Sequence, residues 1–196
     1  MITLFNNKLN INLKGLQFLR EFIRERKTVG SIYPSSKFLM KNMLKHVDFS
    51  KTKVIVEFGP GNGVFTKGIL ERMAPDAVLF TFELNENFGQ YIEDNIKDDR
   101  MILLKQSAEN LGKVLKEHGY EKADYIISSL PLMLIPTEMK TSVLETCKDF
   151  LSKDGQFIQF QYSQNVKKLL KATFSEVKVQ FTVANIPPAF VFNCSV

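Results

Sequence analysis

The stretch from Val54 to Phe65, Val-Ile-Val-Glu-Phe-Gly-Pro-Gly-Asn-Gly-Val-Phe, restricts this chain more than any other part of it. Three apolar β-formers lead into Glu57, glycines stand at 59, 61 and 63, and a helical pattern opens at Val64. The order strand, glycine turn, helix is a nucleotide-binding corner of an α/β sheet. Gly59 can supply a backbone angle closed to other residues, while Gly61 and Gly63, lacking a Cβ, let a ligand and the next helix approach the backbone closely. Glu57 closes the strand beside that opening. An acid there would repel a pyrophosphate but can accept a hydrogen bond from a cationic amine.

The spacing Glu-x-Gly-x-Gly-x-Gly differs from the dinucleotide pattern Gly-x-Gly-x-x-Gly. It resembles the first motif of the class I S-adenosylmethionine (SAM) methyltransferases, whose ligand has an amino acid end and no phosphate. A second acid is due roughly 20 residues further on, at the end of the second strand, to bind a ribose hydroxyl pair. Val78-Leu79-Phe80-Thr81-Phe82-Glu83 supplies it, with Leu84 following.

With 196 residues and 44% hydrophobic content, the chain suits a single domain with a substantial core. We read residues 1–196 as one methyltransferase domain, with 1–46 as a helical extension that binds membrane or covers the site. Cys147 and Cys194 form neither a metal pattern nor a disulfide framework, so no metal is expected and a reducing cytoplasm is the default. No stretch is apolar for long enough to span a bilayer, and the N-terminus has no signal-peptide core. The net charge of +5 is unevenly placed: residues 1–53 hold eleven Lys or Arg against three acids. A basic head on a mildly acidic body points to an anionic partner, membrane or nucleic acid.

Residues 8–27 read as an amphipathic helix, with Leu9, Leu13, Leu16, Leu19 and Ile23 on one face and Lys14, Glu21 and Arg24 on the other. Such a helix can lie in a lipid interface, pack on the sheet, or lid the ligand. Gly30 and Pro34 then break the chain before a second helix ending near His46, for which Ser35 or Ser36 is the N-cap. From Lys53 onward strands are expected near 53–58, 78–83, 101–105, 124–128, 156–162, 176–184 and 189–194. Helices are expected over 64–73, 86–96, 108–118, 137–151 and 163–173. This alternation predicts a Rossmann-like, doubly wound, mostly parallel sheet of seven strands. Asn185-Ile186-Pro187-Pro188 is too short for a parallel crossover, so the last two strands form an antiparallel hairpin.

Ligands of such sheets bind beyond the carboxyl ends of the strands. After the third strand many SAM enzymes carry an Asp against the adenine amine, whereas this chain reads Gln106-Ser107-Ala108-Glu109, which leaves Ser107 and Gln106 to share that contact. After the fourth strand, Ser128-Ser129-Leu130-Pro131-Leu132 stands where amine methyltransferases often carry Asn-x-Pro and an aromatic ring. Serine replaces the amide and Leu132-Met133-Leu134-Ile135 replaces the ring, which implies an apolar mouth without a stacking platform for a base.

Five segments carry a closer resemblance: Phe22 to Ser36, Glu57 to Thr66, Ser129-Leu130-Pro131-Leu132, Gln159-Phe160-Gln161-Tyr162 and Asn185-Ile186-Pro187-Pro188-Ala189. Together they look like the bacterial phospholipid N-methyltransferase family. The rRNA adenine dimethyltransferases are similar through the same core, including Ser36-Lys37-Phe38-Leu39. Their Asn-Leu-Pro-aromatic motif is altered here, and their helical C-terminal domain has no counterpart.

The lipid family implies SAM as cofactor and an aminophospholipid, phosphatidylethanolamine or a relative, as acceptor. It also implies attachment to the inner face of the membrane through the N-terminal amphipathic helix, as a peripheral cytoplasmic protein with no nucleic-acid partner. By that resemblance Tyr33, Ser129 and Tyr162 surround the acceptor amine, and aromatic faces attract ammonium. Ser36, Glu57, Gly59, Gly61, Gly63, Glu83, Leu84, Gln106, Ser107, Ala108 and Ser128 line the SAM site. No side chain stands out as a base, since His46 and His118 fall near helix ends and read as solvent-exposed. Two alternatives stay open at this stage: methylation of rRNA adenine, and SAM binding at a membrane without catalysis. Ethanolamine, its partly methylated forms and ornithine lipids are equally compatible head groups.

Overall fold

A computed structural model describes residues 37–183, 185 and 187–196. Helix α1 (Lys37–Leu44) leads into a seven-stranded sheet with the order β3-β2-β1-β4-β5-β7-β6. Strands β1 (Val54–Phe58), β2 (Val78–Phe82), β3 (Met101–Leu104), β4 (Ala123–Ser128) and β5 (Leu151–Gln161) are mutually parallel. β7 (Ala189–Ser195) inserts antiparallel between β5 and β6 (Glu176–Thr182). This is the expected sheet with its terminal hairpin.

β1 lies at the centre, and its five residues are all buried, because helices cover both faces. That is why it reads as an apolar run and not as an alternation. Its side chains still alternate between two cores. Val54, Val56 and Phe58 face α4 (Leu111–Glu117), α5 (Thr137–Phe150) and α6 (Lys167–Thr173). Ile55 faces α1, α2 (Val64–Leu70) and α3 (Glu86–Asn95). Below the sheet, the Asp124 carboxylate accepts from the N–H groups of Lys53 and Val54 at 2.8 and 2.9 Å, fixing β1 against β4.

Several boundaries differ from the sequence reading; the helix expected over 64–73, for example, ends at Leu70. The fifth strand begins at Leu151, not 156: Ala123 pairs with Leu151 and Tyr125 with Gln156, so Ser152-Lys153-Asp154-Gly155 bulges out of the ladder. Those residues have turn chemistry, which hides the strand start. The helix expected from 163 begins at Lys167. That expected at 108–118 opens as a 3-10 turn over Ala108–Asn110, capped by Ser107. Residues 8–27, Tyr33 and Ser36 lie outside the described residues.

Candidate active site

The strand order reverses between β1 and β4, and the chain beyond their carboxyl ends forms the site. The ladder extends one residue past each strand: Gly59 N–H donates to Phe82 O at 2.9 Å, and Ser129 N–H to Phe58 O at 2.9 Å. Gly59, Gly61 and Gly63 all have positive φ, at 71°, 54° and 76°. They nevertheless do different work. A Cβ on Gly63 would lie 2.7 Å from Ile96 Cδ1 and 2.9 Å from Ile92 Cδ1, so this glycine admits α3 and its following residue. One on Gly61 would meet nothing within 4 Å and would project into open space, the room a ligand needs. One on Gly59 would touch Leu130 and Ser129 at 3.7 and 3.9 Å, so the glycine turn and the loop after β4 are adjacent walls of one cleft.

Both predicted acids reach this place with different environments. Glu83 is nearly buried; its Oε1 accepts from Asn85 N–H at 2.8 Å and its Oε2 from Gly61 N–H at 3.4 Å. Burial raises its pKa, against the pull of those backbone donors. Glu57 is completely buried, and its Oε2 accepts from Thr66 Oγ1 at 2.8 Å and Thr81 Oγ1 at 3.4 Å. Its Oε1 has no partner among the described residues. Desolvation outweighs the two hydroxyls and pushes its pKa up to about 8, with the Glu83 charge adding to the rise.

After β3, the predicted contacts turn inward. Ser107 Oγ accepts from Glu109 N–H at 3.3 Å, and Gln106 Oε1 accepts from Asn110 Nδ2 at 2.9 Å. Leu84 and Ala108 pack on the core beside Phe82. At the end of β4, Ser128 is buried and its Oγ accepts from Leu130 N–H at 3.3 Å. Ser129 Oγ is buried without a partner among the described residues.

The loop after β4 splits its apolar residues. Leu132 and Ile135 enter the core, whereas Met133 and Leu134 stay exposed. With Ser129, Leu130, Pro131, Phe160, Gln161, Tyr162 and Ser163 they line a cleft of about 240 Å³. The cleft is not free of rings: Phe160 and Tyr162 meet edge to face at 5.7 Å, and Phe160 stacks on Phe65 at 6.0 Å. These rings come from β5 and the residue after it, not from the loop.

Two residues escaped the sequence reading. Gln159 Nε2 and Gln161 Nε2 both donate to Leu130 O, at 3.1 and 2.8 Å. Two glutamines at i and i+2 inside an apolar strand were the available signal, because buried amides require partners. His46 and His118 are exposed, as expected.

The ribosomal RNA adenine dimethylase family model matches residues 23–111. An ornithine lipid N-methyltransferase of Singulisphaera acidiphila is 27% identical over 179 residues, covering 90% of this chain and 93% of that protein. The chain is a class I SAM-dependent methyltransferase. A ribosomal RNA small subunit methyltransferase A of Borreliella burgdorferi is 23% identical to it over 87% of this chain and 64% of that protein. Among solved structures, a Burkholderia thailandensis 1,6-didemethyltoxoflavin-N1-methyltransferase with bound S-adenosylhomocysteine superimposes with a TM-score of 0.69 at 15% identity, covering 91% of this chain and 87% of that one. Human methyltransferase-like protein 13 in complex with SAH superimposes at 0.62 and 15% identity, over 82% of this chain and 79% of that one. The cofactor of this methyltransferase is SAM. The open side of Gly61, the flanking Glu83 carboxylate and the orphaned Glu57 Oε1 fit a ligand with an amino acid end, a ribose and no phosphate.

Proposed function

We propose that this methyltransferase methylates the amine of a membrane aminolipid. The observation that carries the reading is the cleft beside the glycine turn, walled by Ser129-Leu130-Pro131, the exposed Met133 and Leu134, and Tyr162. It offers aliphatic surface where a nucleobase enzyme needs a ring in the loop itself. The comparisons lean the same way. The identity to the ornithine lipid enzyme is 27% and takes in 93% of that protein, whereas that to the rRNA methyltransferase, over nearly the same share of this chain, is 23% and takes in 64% of that protein. Phosphatidylethanolamine and ornithine lipids both present an amine of suitable size.

In this reading Glu83 receives the ribose hydroxyls and Glu57 Oε1 the ammonium of the amino acid end, across the backbone of Gly59, Gly61 and Gly63. Because the Ser107 and Gln106 side chains are committed within their own turn, the adenine falls to Leu84 and Ala108. Ser128 and the two glutamines hold the loop, and Ser36, outside the described residues, belongs to the cofactor side by the resemblance alone. SAM supplies an activated methyl on a sulfonium. The neutral acceptor nitrogen forms the new N–C bond as the S–C bond breaks, the electron pair leaves with sulfur, and the nitrogen loses its proton to solvent. The chain's part is alignment and exclusion of water. The Ser129 hydroxyl, unpartnered among the described residues, accepts an N–H of the amine, and Tyr162 presents its ring face to it; Tyr33, outside the described residues, keeps the role that the resemblance implies. Attachment is to the anionic inner face of the membrane through the basic N-terminal segment, whose sequence pattern is that of an amphipathic helix. No helix among the described residues is long and apolar enough to cross a membrane.

Incubating the full chain with methyl-labelled SAM and either total bacterial lipid or ribosomal RNA tests the reading. Label in the organic phase, in a product whose mass rises by one or more methyl groups, is the expected result. Label in RNA, or SAM binding with no transfer, overturns it.

A further inference from the structure

Among the described residues, most of the exposed large apolar side chains lie where the β6 edge of the sheet meets the carboxyl ends of β4 and β5. β7 runs antiparallel to β5 and β6, so the register Gln161–Phe190–Phe181 places the carboxyl end of β6 level with that of β5, beside the cleft. Phe181 and Val183 stand at that end of β6, and Tyr162, Met133 and Leu134 at the neighbouring cleft. α1 joins the same edge. Its Asn42 donates to Thr182 at 3.3 Å, and His46, just after the helix, meets Gln180 at 3.5 Å, so the helix runs antiparallel to β6 on the face opposite Phe181 and carries Phe38 one turn further, past the strand's end. These six side chains are between 38% and 72% exposed. Phe181 keeps half its surface in water despite packing, with its ring tilted, against Phe190 at 4.8 Å.

The charge on this edge has one dominant sign. Lys37 and Lys41 flank Phe38, Lys167 and Lys168 open α6 shortly after Tyr162, and Lys140 lies in the first turn of α5. Glu138 is the acid among them. Exposed apolar side chains within a ring of lysines match a bilayer with anionic head groups: the former enter the acyl boundary and the latter meet phosphates. An RNA would leave the aliphatic side chains in water, and a protein partner would serve only if its own surface combined apolar and acidic residues in the same pattern, which an anionic bilayer offers everywhere.

We propose that this edge, formed by Phe38, Phe181, Val183 and the mouth of the cleft, is a bilayer-docking surface of the folded domain, separate from the N-terminal helix. It rests on the aminolipid reading only for its orientation. The cleft opens in the plane of the docked surface, so a lipid amine reaches Ser129 with its acyl chains still in the membrane.

The chain contains no tryptophan, so one introduced at a single position is a clean reporter. The full chain is prepared with Phe38→Trp, Phe181→Trp or Val196→Trp, the last at the opposite end of the strands, after β7. Each is titrated with phosphatidylglycerol–phosphatidylcholine vesicles, with and without brominated acyl chains. Emission from the first two is expected to shift to the blue and to be quenched by bromine, and that from Val196→Trp to do neither. If the first two respond no more than Val196→Trp, the docking surface is refuted, even where sedimentation shows the chain on vesicles. As a second measurement, replacing Phe38, Phe181 and Val183 together by Ser should weaken vesicle binding at least roughly tenfold. SAM affinity, measured by calorimetry, should be unchanged and so report an intact fold; undiminished vesicle binding by this variant contradicts the proposal. Docking without any methyl transfer to lipid would leave this surface standing and fell the proposed function instead.

Discussion

Glu83 Oε2 and the N–H of Gly61 face each other across 3.4 Å at the mouth of the glycine turn, while Glu83 Oε1 is held by Asn85 N–H. The carboxylate is thus fixed by backbone donors before any ligand arrives. Its long contact to Gly61 is the weaker of the two and the one a ribose hydroxyl would supplement. Glu83→Ala removes a pre-oriented acceptor, and hydrogen bonds to charged groups contribute about 1.5–3 kcal/mol each. SAM affinity measured by calorimetry should therefore fall at least roughly tenfold. An unchanged Kd would remove Glu83 from the site.

Two of the three glycines, Gly63 and Gly61, should separate by readout. Gly63→Ala combines a left-handed backbone with a Cβ within 3 Å of Ile92 and Ile96, and each penalty is about 1–3 kcal/mol. Its thermal midpoint should drop while residual folded protein still binds SAM. Gly61→Arg carries the same left-handed backbone strain but meets open space on the protein side, so its midpoint should fall less and its loss of SAM binding and turnover should be the larger effect. Turnover at the native rate by Gly61→Arg would show that the ligand lies elsewhere.

The alternation of strands and helices, the central β1 and the closing hairpin were legible because each rests on local patterns of apolar residues, glycine and proline. So were both acids, whose spacing from the turn follows from the geometry of one β-α-β unit. What stayed hidden depends on partners distant in sequence. Phe160 enters the cleft through strand alternation on β5, and Gln159 and Gln161 find Leu130 about thirty residues away. Gly112 passed unnoticed, yet a Cβ there would lie 2.2 Å from the Phe150 ring, which is what lets α4 and α5 touch. The Ser152–Gly155 bulge was read as a turn because its residues are turn formers wherever they occur.

Glu57 makes pH a probe of the site. Its carboxyl ionises near 4.5 ordinarily and near 8 in the folded chain, chiefly because burial disfavours the charge; Thr66 and Thr81 donate to it and Glu83 repels it. Between those values the folded state keeps a proton that the unfolded state has lost. The ligand-free protein should therefore lose stability as pH rises from about 4.5 to 8, and Glu57→Gln should flatten that part of the profile. Denaturant titrations of both proteins at several pH values check this. An ammonium brought to Oε1 would favour the carboxylate, so SAM binding near neutrality should release protons, and its apparent enthalpy should track the ionisation enthalpy of the buffer. Equal enthalpies in phosphate and Tris would place the amino acid end away from Glu57.

The paired amides of Gln159 and Gln161 should matter for the acceptor and not for SAM. Their shared target, Leu130 O, belongs to the loop that carries Ser129 and Pro131 along the cleft. Replacing both glutamines by Leu leaves a mostly buried carbonyl without a donor, at a cost of about 1–3 kcal/mol, and frees the loop to reposition. A displacement of even an ångström at a reacting amine is worth orders of magnitude in rate. Single-turnover methylation of an aminolipid should slow at least roughly tenfold in the double variant, with the SAM Kd within about twofold of the parent's. A parallel loss of SAM affinity would mean that the amides support the whole sheet edge, and an unaltered rate would mean that the loop keeps its place without them.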